Sequence, residues 1–276
     1  VQDKHLPRIA IICVNYENRA EGLRFLQALS DLNLSVIDVF MVDNSEKEKF
    51  NSKDLLALPW AKLLSNGQNL GYWGAFMVGL KEALLQTTPY DWIVLSNPDI
   101  TFDPDFFDQL LKRKLDGMQV IAPSICSGIS QRDQNPFMKA RPSSRKLRFY
   151  KLIFSNLGSF IVYDFLSQLK KKYQSQKSIK SKVHEGDTFI FAPHGSLIIF
   201  SLQAAQSLLS ATTAPFLFCE EIFLGEHCRN NKIPIQYSPD LKATHRESTT
   251  MRFIPSAKIV KYKSESMQLI YRNHFK

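Results

Sequence analysis

An α/β fold, a mostly parallel central sheet flanked by helices, is predicted by three observations. Short apolar runs alternate with segments of helical periodicity over the first 125 residues. Asn, Asp, Gly and Pro collect where the apolar runs stop. The length of 276 residues and the 44% hydrophobic content suit one large α/β domain or two small ones, and the chain reads as a single domain.

The elements follow in order. "RIAIICV" (8–14) is strand-like, and "RAEGLRFLQALSDL" (19–32) repeats its apolar residues at helical spacing. "SVIDVFMV" (35–42) is a second strand ending in the turn Asp43-Asn44-Ser45. "AKLLS" (61–65) is a third, and "NGQNLGYWG" leads from it into a helix continuing to about Gln86. "DWIVLS" is the fourth strand, and "DPDFFDQLLKRKL" (103–115) starts as a helix with Pro104 in its first turn. "MQVIAP" (118–123) is the fifth. These 125 residues form one half of the expected domain. A basic stretch, 139–182, then interrupts the alternation. In the second half, 186–250, "DTFIFAP" (187–193) and "GSLIIFS" (195–201) read as strands, and "SLQAAQSLLS" and "CEEIFLGEHCRNN" (219–231) as helices. "IPIQYSP" (233–239) and "LKATHRES" (241–248) complete the core, and a basic amphipathic helix is expected over 256–276.

Charge and cysteines narrow the classes. The net charge is +9, but 139–182 carries twelve Lys and Arg against one acid, Asp164. That segment therefore holds +11 and the rest of the chain −2. Positive charge confined to one insertion without a reading motif argues against a nucleic-acid binder. Cys13, Cys126, Cys219 and Cys228 lack C-x-x-C spacing. With no signal-peptide pattern at the N-terminus, reduced thiols in a cytoplasmic protein are expected.

In a parallel open sheet, ligands bind beyond the carboxyl ends of the strands. Asn15-Tyr16, Asp43-Asn44, Asn69-Leu70-Gly71 and Asn97-Pro98-Asp99 follow four successive strands. One such loop is ordinary turn chemistry; four on one edge form a site. The sequence has no G-x-x-x-x-G-K-[ST] and no G-x-G-x-x-G after strand one, which disfavours P-loop phosphotransferases and dinucleotide dehydrogenases. Gly71 and Gly74 instead permit close backbone approach to a ligand after strand three.

Six motifs in order carry a resemblance: "VNYEN" (14–18), "VDNSE" (42–46), "NLGYWGA" (69–75), "LSNPDI" (95–100), "HGSLIIF" (194–200) and the stretch from "FLFCEE" to "THRES" (216–248). Together they resemble family 2 glycosyltransferases, nearest the rhamnosyltransferase-like branch. The resemblance implies a GT-A (nucleotide-sugar transferase) fold, with 1–125 holding the nucleotide sugar and 186–250 the acceptor and the catalytic groups. It also implies an inverting transfer assisted by Mg²⁺ or Mn²⁺. The donor it favours is dTDP-rhamnose, with UDP-galactofuranose or UDP-galactose next. The acceptor would be a saccharide of a growing surface polysaccharide or its lipid-linked precursor, reached from the inner face of the cell membrane.

Residue by residue, Asp99 takes the place of the metal carboxylate of Asp-x-Asp, and Asn97 replaces the first acid. The family's late histidine, which in several relatives completes the metal site from a distant loop, falls on His245, making it the second candidate metal ligand. Asn15, Tyr16, Asp43, Asn69 and Gly71 are placed near the nucleoside and donor, with Asp43 as the base or ribose contact. Of the paired acids, the second, Glu221, takes the role of base, where the family has Asp. Neighbouring helical residues point about 100° apart, so Glu220 and Glu221 do not serve the same atom. Glu226 reads as a surface acid. Beyond Gly74 this sequence has Ala75-Phe76-Met77 in place of the family's asparagines, and Tyr72 and Trp73 read as core aromatics.

Two alternatives stay open on function. A nucleotidyltransferase acting on sugar phosphates shares the layered sheet and the metal, but needs a basic Gly-rich loop that "VNYENRAEG" replaces poorly. A catalytically inactive sugar-nucleotide-binding module has no need for paired acids at 220–221. For the basic insertion, "KLIFSNLGSFIVYDFL" (151–166) is too short and too interrupted to span a bilayer. It reads either as a core helix with solvated basic flanks or as an interfacial segment on anionic lipid.

Overall fold

The computed structural model describes residues 7–32, 35–114, 117–156, 158–162, 188–211, 213–247 and 256–275. The strands are β1 (Ile9–Asn15), β2 (Ile37–Asp43), β3 (Ala61–Ser65), β4 (Trp92–Ser96), β5 (Ile100–Phe102), β6 (Val120–Ser127), β7 (Thr188–Phe189), β8 (Leu197–Ser201) and β9 (Ile235–His245). The α-helices are α1 (Arg19–Ser30), α2 (Gly71–Leu84), α3 (Phe106–Leu111), α4 (Ser144–Ile153), α5 (Leu202–Ser207), α6 (Glu220–Asn230) and α7 (Ser256–His274). One sheet runs in the order β3-β2-β1-β4-β8-β6-β9-β5, with β7 on β9.

The apolar runs become strands covered on both faces. All seven residues of β1 are buried, and their alternation sorts them into two cores. Ile9, Ile11 and Cys13 join Phe25, Leu26 and Leu29 of α1 and Phe106, Phe107 and Leu110 of α3. Ala10, Ile12 and Val14 join Trp73, Phe76 and Leu80 of α2, Phe223 of α6 and Ile270 of α7. Asn18 caps α1 by accepting the Glu21 N–H.

The sheet is mostly parallel, as expected: six of its nine described strands run in one direction and three against it. β3, β2, β1 and β4 are parallel, but β8 runs antiparallel to β4 and β6. β5 and β7 are antiparallel to β9, while β6 and β9 are parallel. Apolar periodicity reports burial, not direction. The loop 194–196 delivers β8 to the carboxyl end of β4, so β8 can only run back along it. The two late strands of the sequence reading are one strand, β9, whose register against β6 shifts between Pro123/Ser124. Pro239-Asp240-Leu241 is the extra length taken up there, a place where a residue without an N–H is tolerated.

The basic insertion is only partly surface. α4 packs on α7 with Leu147 fully buried, and Arg141 is bound to Glu226. Residues 163–187, with Asp164 and the lysines at 170–172, 177, 180 and 182, lie outside the described residues. Among the described residues no helix is long and apolar enough to cross a membrane, and the four cysteines are free thiols.

Candidate active site

The carboxyl ends of β1, β2 and β4 and the loops before β8 and α6 enclose a cleft of about 1210 Å³. Tyr16, Asn69, Gly71, Asn97, Asp99, Glu220, Glu221 and His245 all line it. Asn15 and Asp43 do not: both are buried beneath its floor. The Asp43 carboxylate accepts the Phe50 N–H at 2.8 Å and the Ser45 N–H at 3.2 Å, so it shapes the loop after β2.

Asn44, named at a strand end but given no role in the sequence reading, organises the edge of the cleft between β2 and α2. Its Oδ1 accepts the Leu70 N–H at 2.8 Å, and its Nδ2 donates to Asn69 Oδ1 at 2.9 Å and to the Gly71 carbonyl at 3.2 Å. Gly71 sits at φ +74°, and a Cβ there would lie 2.0 Å from the Phe216 carbonyl oxygen. Only glycine fits. The next residue, Tyr72, donates its N–H to that same carbonyl at 3.1 Å and its hydroxyl to Gly195 O at 2.8 Å. Trp73 is core, as expected, but Tyr72 ties the two halves of the cleft together.

Glu17 was also missed. Its carboxylate accepts the N–H groups of Glu46, Lys47 and Glu48 at 2.7, 2.9 and 2.8 Å. Burial pushes its pKa up, but the three backbone bonds outweigh this and hold it below the usual range.

Across the cleft, Asp99 Oδ1 lies 3.3 Å from His245 Nε2, and Gln134 Oε1 lies 2.9 Å from His245 Nδ1. An amide oxygen only accepts, so Nδ1 carries a proton and a neutral ring would turn the Nε2 lone pair toward the carboxylate. Two acceptors facing at that distance call for a cation or a proton between them. The residues therefore fit a divalent cation with oxygen and imidazole donors, Mn²⁺ more readily than Mg²⁺. No group of three or more His, Cys, Asp or Glu converges on an ion among the described residues. Such a cation would draw its remaining ligands from phosphate and water. His194 stands beside the pair, its ring 5.7 Å from that of His245. Its Nδ1 accepts the Ser196 N–H at 3.3 Å, and burial, aided by His245, pushes its pKa down to about 4. It is neutral.

Glu220 and Glu221 open α6. The two preceding residues, Phe218 and Cys219, hold left-handed conformations at φ 68° and 65°. Such backbone costs roughly 1–3 kcal/mol per residue and gathers at functional sites. Burial raises the pKa of both carboxyls, and the charge of Glu221 helps push Glu220 up to about 8. Glu221 reaches the Gly195 turn, where a Cβ would stand 3.1 Å from its Oε1. Glu226, expected at the surface, is instead fully buried between Arg141 and Arg229. Lys258 and Tyr262 of α7 close the cleft, Tyr262 packed on Phe216 with ring centroids 4.9 Å apart.

No protein-family model matches the chain, and no curated protein matches it. Among solved structures, the crystal structure of S. aureus TarS 1-349 is similar with a TM-score of 0.50 at 11% identity. The match covers 97% of this chain and 72% of that one. The likeness is one of fold: a central mixed sheet flanked by helices.

Proposed function

We propose that the chain transfers a sugar from a nucleotide-diphosphate donor to a hydroxyl of a saccharide acceptor, with inversion at the anomeric carbon. The observation that carries this reading is that one cleft is lined by both the Asp99–His245 pair and the raised-pKa carboxylates Glu220 and Glu221. The first suits a charged diphosphate and the second a proton transfer. The donor is dTDP-rhamnose or a UDP-hexose such as UDP-galactofuranose. The acceptor belongs to a surface polysaccharide or its lipid-linked precursor, and the enzyme works at the inner face of the cell membrane.

Tyr16, Asn69 and Gly71 hold the nucleotide side of the donor, and Asn97 and Asp99 face the diphosphate. A divalent cation at Asp99 and His245 would supply positive charge against the departing diphosphate. The acceptor oxygen forms its bond to the anomeric carbon as the bond to the diphosphate oxygen breaks and its electron pair leaves with the nucleotide. The hydroxyl proton passes to the Glu221 carboxylate. A carboxylate raised by burial is closer in basicity to its task than one in water. His194, neutral and beside Ser196, is positioned to hydrogen-bond the acceptor without adding charge.

A screen of dTDP- and UDP-sugars by thermal shift, with and without Mn²⁺, followed by transfer assays, tests the reading. One donor class is expected to stabilise the chain, more so with Mn²⁺, and Asp99→Ala is expected to remove the Mn²⁺ increment and the transfer. If no nucleotide sugar binds, or if Asp99→Ala transfers at the wild-type rate, the reading fails.

A further inference from the structure

From Lys139 to Val162 the chain carries six Lys and Arg and no acid. The structure divides these cations. Arg141 is spent on Glu226 and lies over the Phe275 ring. Arg145, Lys146, Arg148 and Lys151 are exposed on α4, and none pairs with a carboxylate among the described residues.

Helical geometry separates the two faces of α4. Leu147, Tyr150 and Phe154, at spacings of three and four, turn toward the core and α7. Arg145, Phe149 and Leu152 share the opposite face, with Arg148 one turn before Leu152. Phe149 and Leu152 are 56% and 65% exposed, and Ile161 and Val162 in the helical turn beyond are 55% and 59% exposed. A soluble surface scatters single apolar residues; here four large ones sit within fourteen residues among unpaired cations.

We propose that the outer face of α4, with Ile161 and Val162, docks on an anionic lipid surface. The apolar side chains enter the boundary between headgroups and acyl chains, and the four cations meet lipid phosphates. Charge complementarity selects this occupant: a patch with no carboxylate among its described residues repels basic partners and has no counter-charge for mixed ones. Tyr271 receives the Arg148 guanidinium at 3.3 Å and the Lys151 ammonium at 5.1 Å from its ring centroid. The docking face is thereby coupled to α7, whose Lys258 and Tyr262 line the cleft.

Flotation of the full chain with vesicles of phosphatidylcholine and phosphatidylglycerol, against phosphatidylcholine alone, tests this. Wild type is expected to float with the anionic vesicles only. Phe149→Ser/Leu152→Ser is expected to cut the partition at least tenfold. Arg145→Glu/Lys146→Glu is expected to cut it by at least the roughly fivefold per cation that an anionic leaflet provides. Leu56→Ser/Leu85→Ser, which removes apolar residues 79% and 76% exposed elsewhere, is expected to float as wild type. Failure of wild type to float, equal flotation with both vesicles, or unchanged flotation of either α4 variant overturns the proposal.

Discussion

The two walls of the cleft each bury carboxylates and treat them in opposite ways. On the wall formed by the loops after β1 and β2, Glu17 accepts three consecutive backbone N–H groups, and its pKa is held low. On the wall formed by α6, Glu220 and Glu221 stand together behind two left-handed residues, and burial drives both upward. The same functional group is held charged where three backbone N–H groups outweigh burial, and is pushed toward its neutral form where burial outweighs its backbone bonds. Glu226, on α6 itself, shows that position alone does not decide. Two guanidiniums complete it, and it braces. Satisfaction of the charge separates the roles.

The largest expected effect tests the reactive wall. Glu221→Gln keeps the shape and removes the basic oxygen, so turnover should fall by roughly 10²–10⁴-fold with donor affinity unchanged. Glu220→Gln should lose less. Equal rates for Glu221→Gln and wild type in a transfer assay would pass the role of base to Glu220.

A smaller effect tests the brace. Bonds to a charged acceptor contribute roughly 1.5–3 kcal/mol each, and Gln can keep one or two of the three as neutral bonds. Glu17→Gln should therefore cost roughly 2–3 kcal/mol in denaturant unfolding, with kcat unchanged at saturating donor. Because the folded pKa lies below the ordinary 4.5, this stabilisation is present above that pH and is lost as pH falls through the folded value. A chemical defect in Glu17→Gln without a stability loss would dissolve the distinction between the walls.

How much of this was legible in sequence follows from how local each signal is. The alternation of strands and helices is written into neighbouring residues, and the parallel half was read from it. The strand ends brought Asn69, Gly71, Asn97 and Asp99 to one edge, and the ordered motifs added Glu220, Glu221 and His245; all of them line the cleft. Strand direction depends on where a connection re-enters the sheet, so antiparallel β8 and the three-residue β5 escaped. Glu17 escaped because its partners are backbone N–H groups 29 to 31 residues away, which any residue offers. Glu226 was misread because Arg141, 85 residues distant, carries no marker of its destination. Asn44 and Asp43 are adjacent polar residues at one strand end, and only the pleat decides which faces the cleft.

The smallest effect is also the most discriminating, because it runs against ordinary mutational loss. Glu220 is raised from 4.5 to about 8 by burial first and the Glu221 charge second. An acid whose pKa is higher folded than unfolded binds its proton more tightly in the folded chain. Between about pH 4.5 and 8 the folded state therefore carries the extra proton, and stability declines as pH rises through that window. Glu220→Gln cannot ionise and escapes the decline. The expectation is a variant whose stability relative to wild type rises between about pH 4.5 and 8 and that is no more stable at pH 4. Thermal unfolding of both proteins across that range decides it. A Glu220→Gln variant that is destabilised at every pH would mean that the Glu220–Glu221 pair braces the fold as Glu17 does, and the contrast between the walls would be gone.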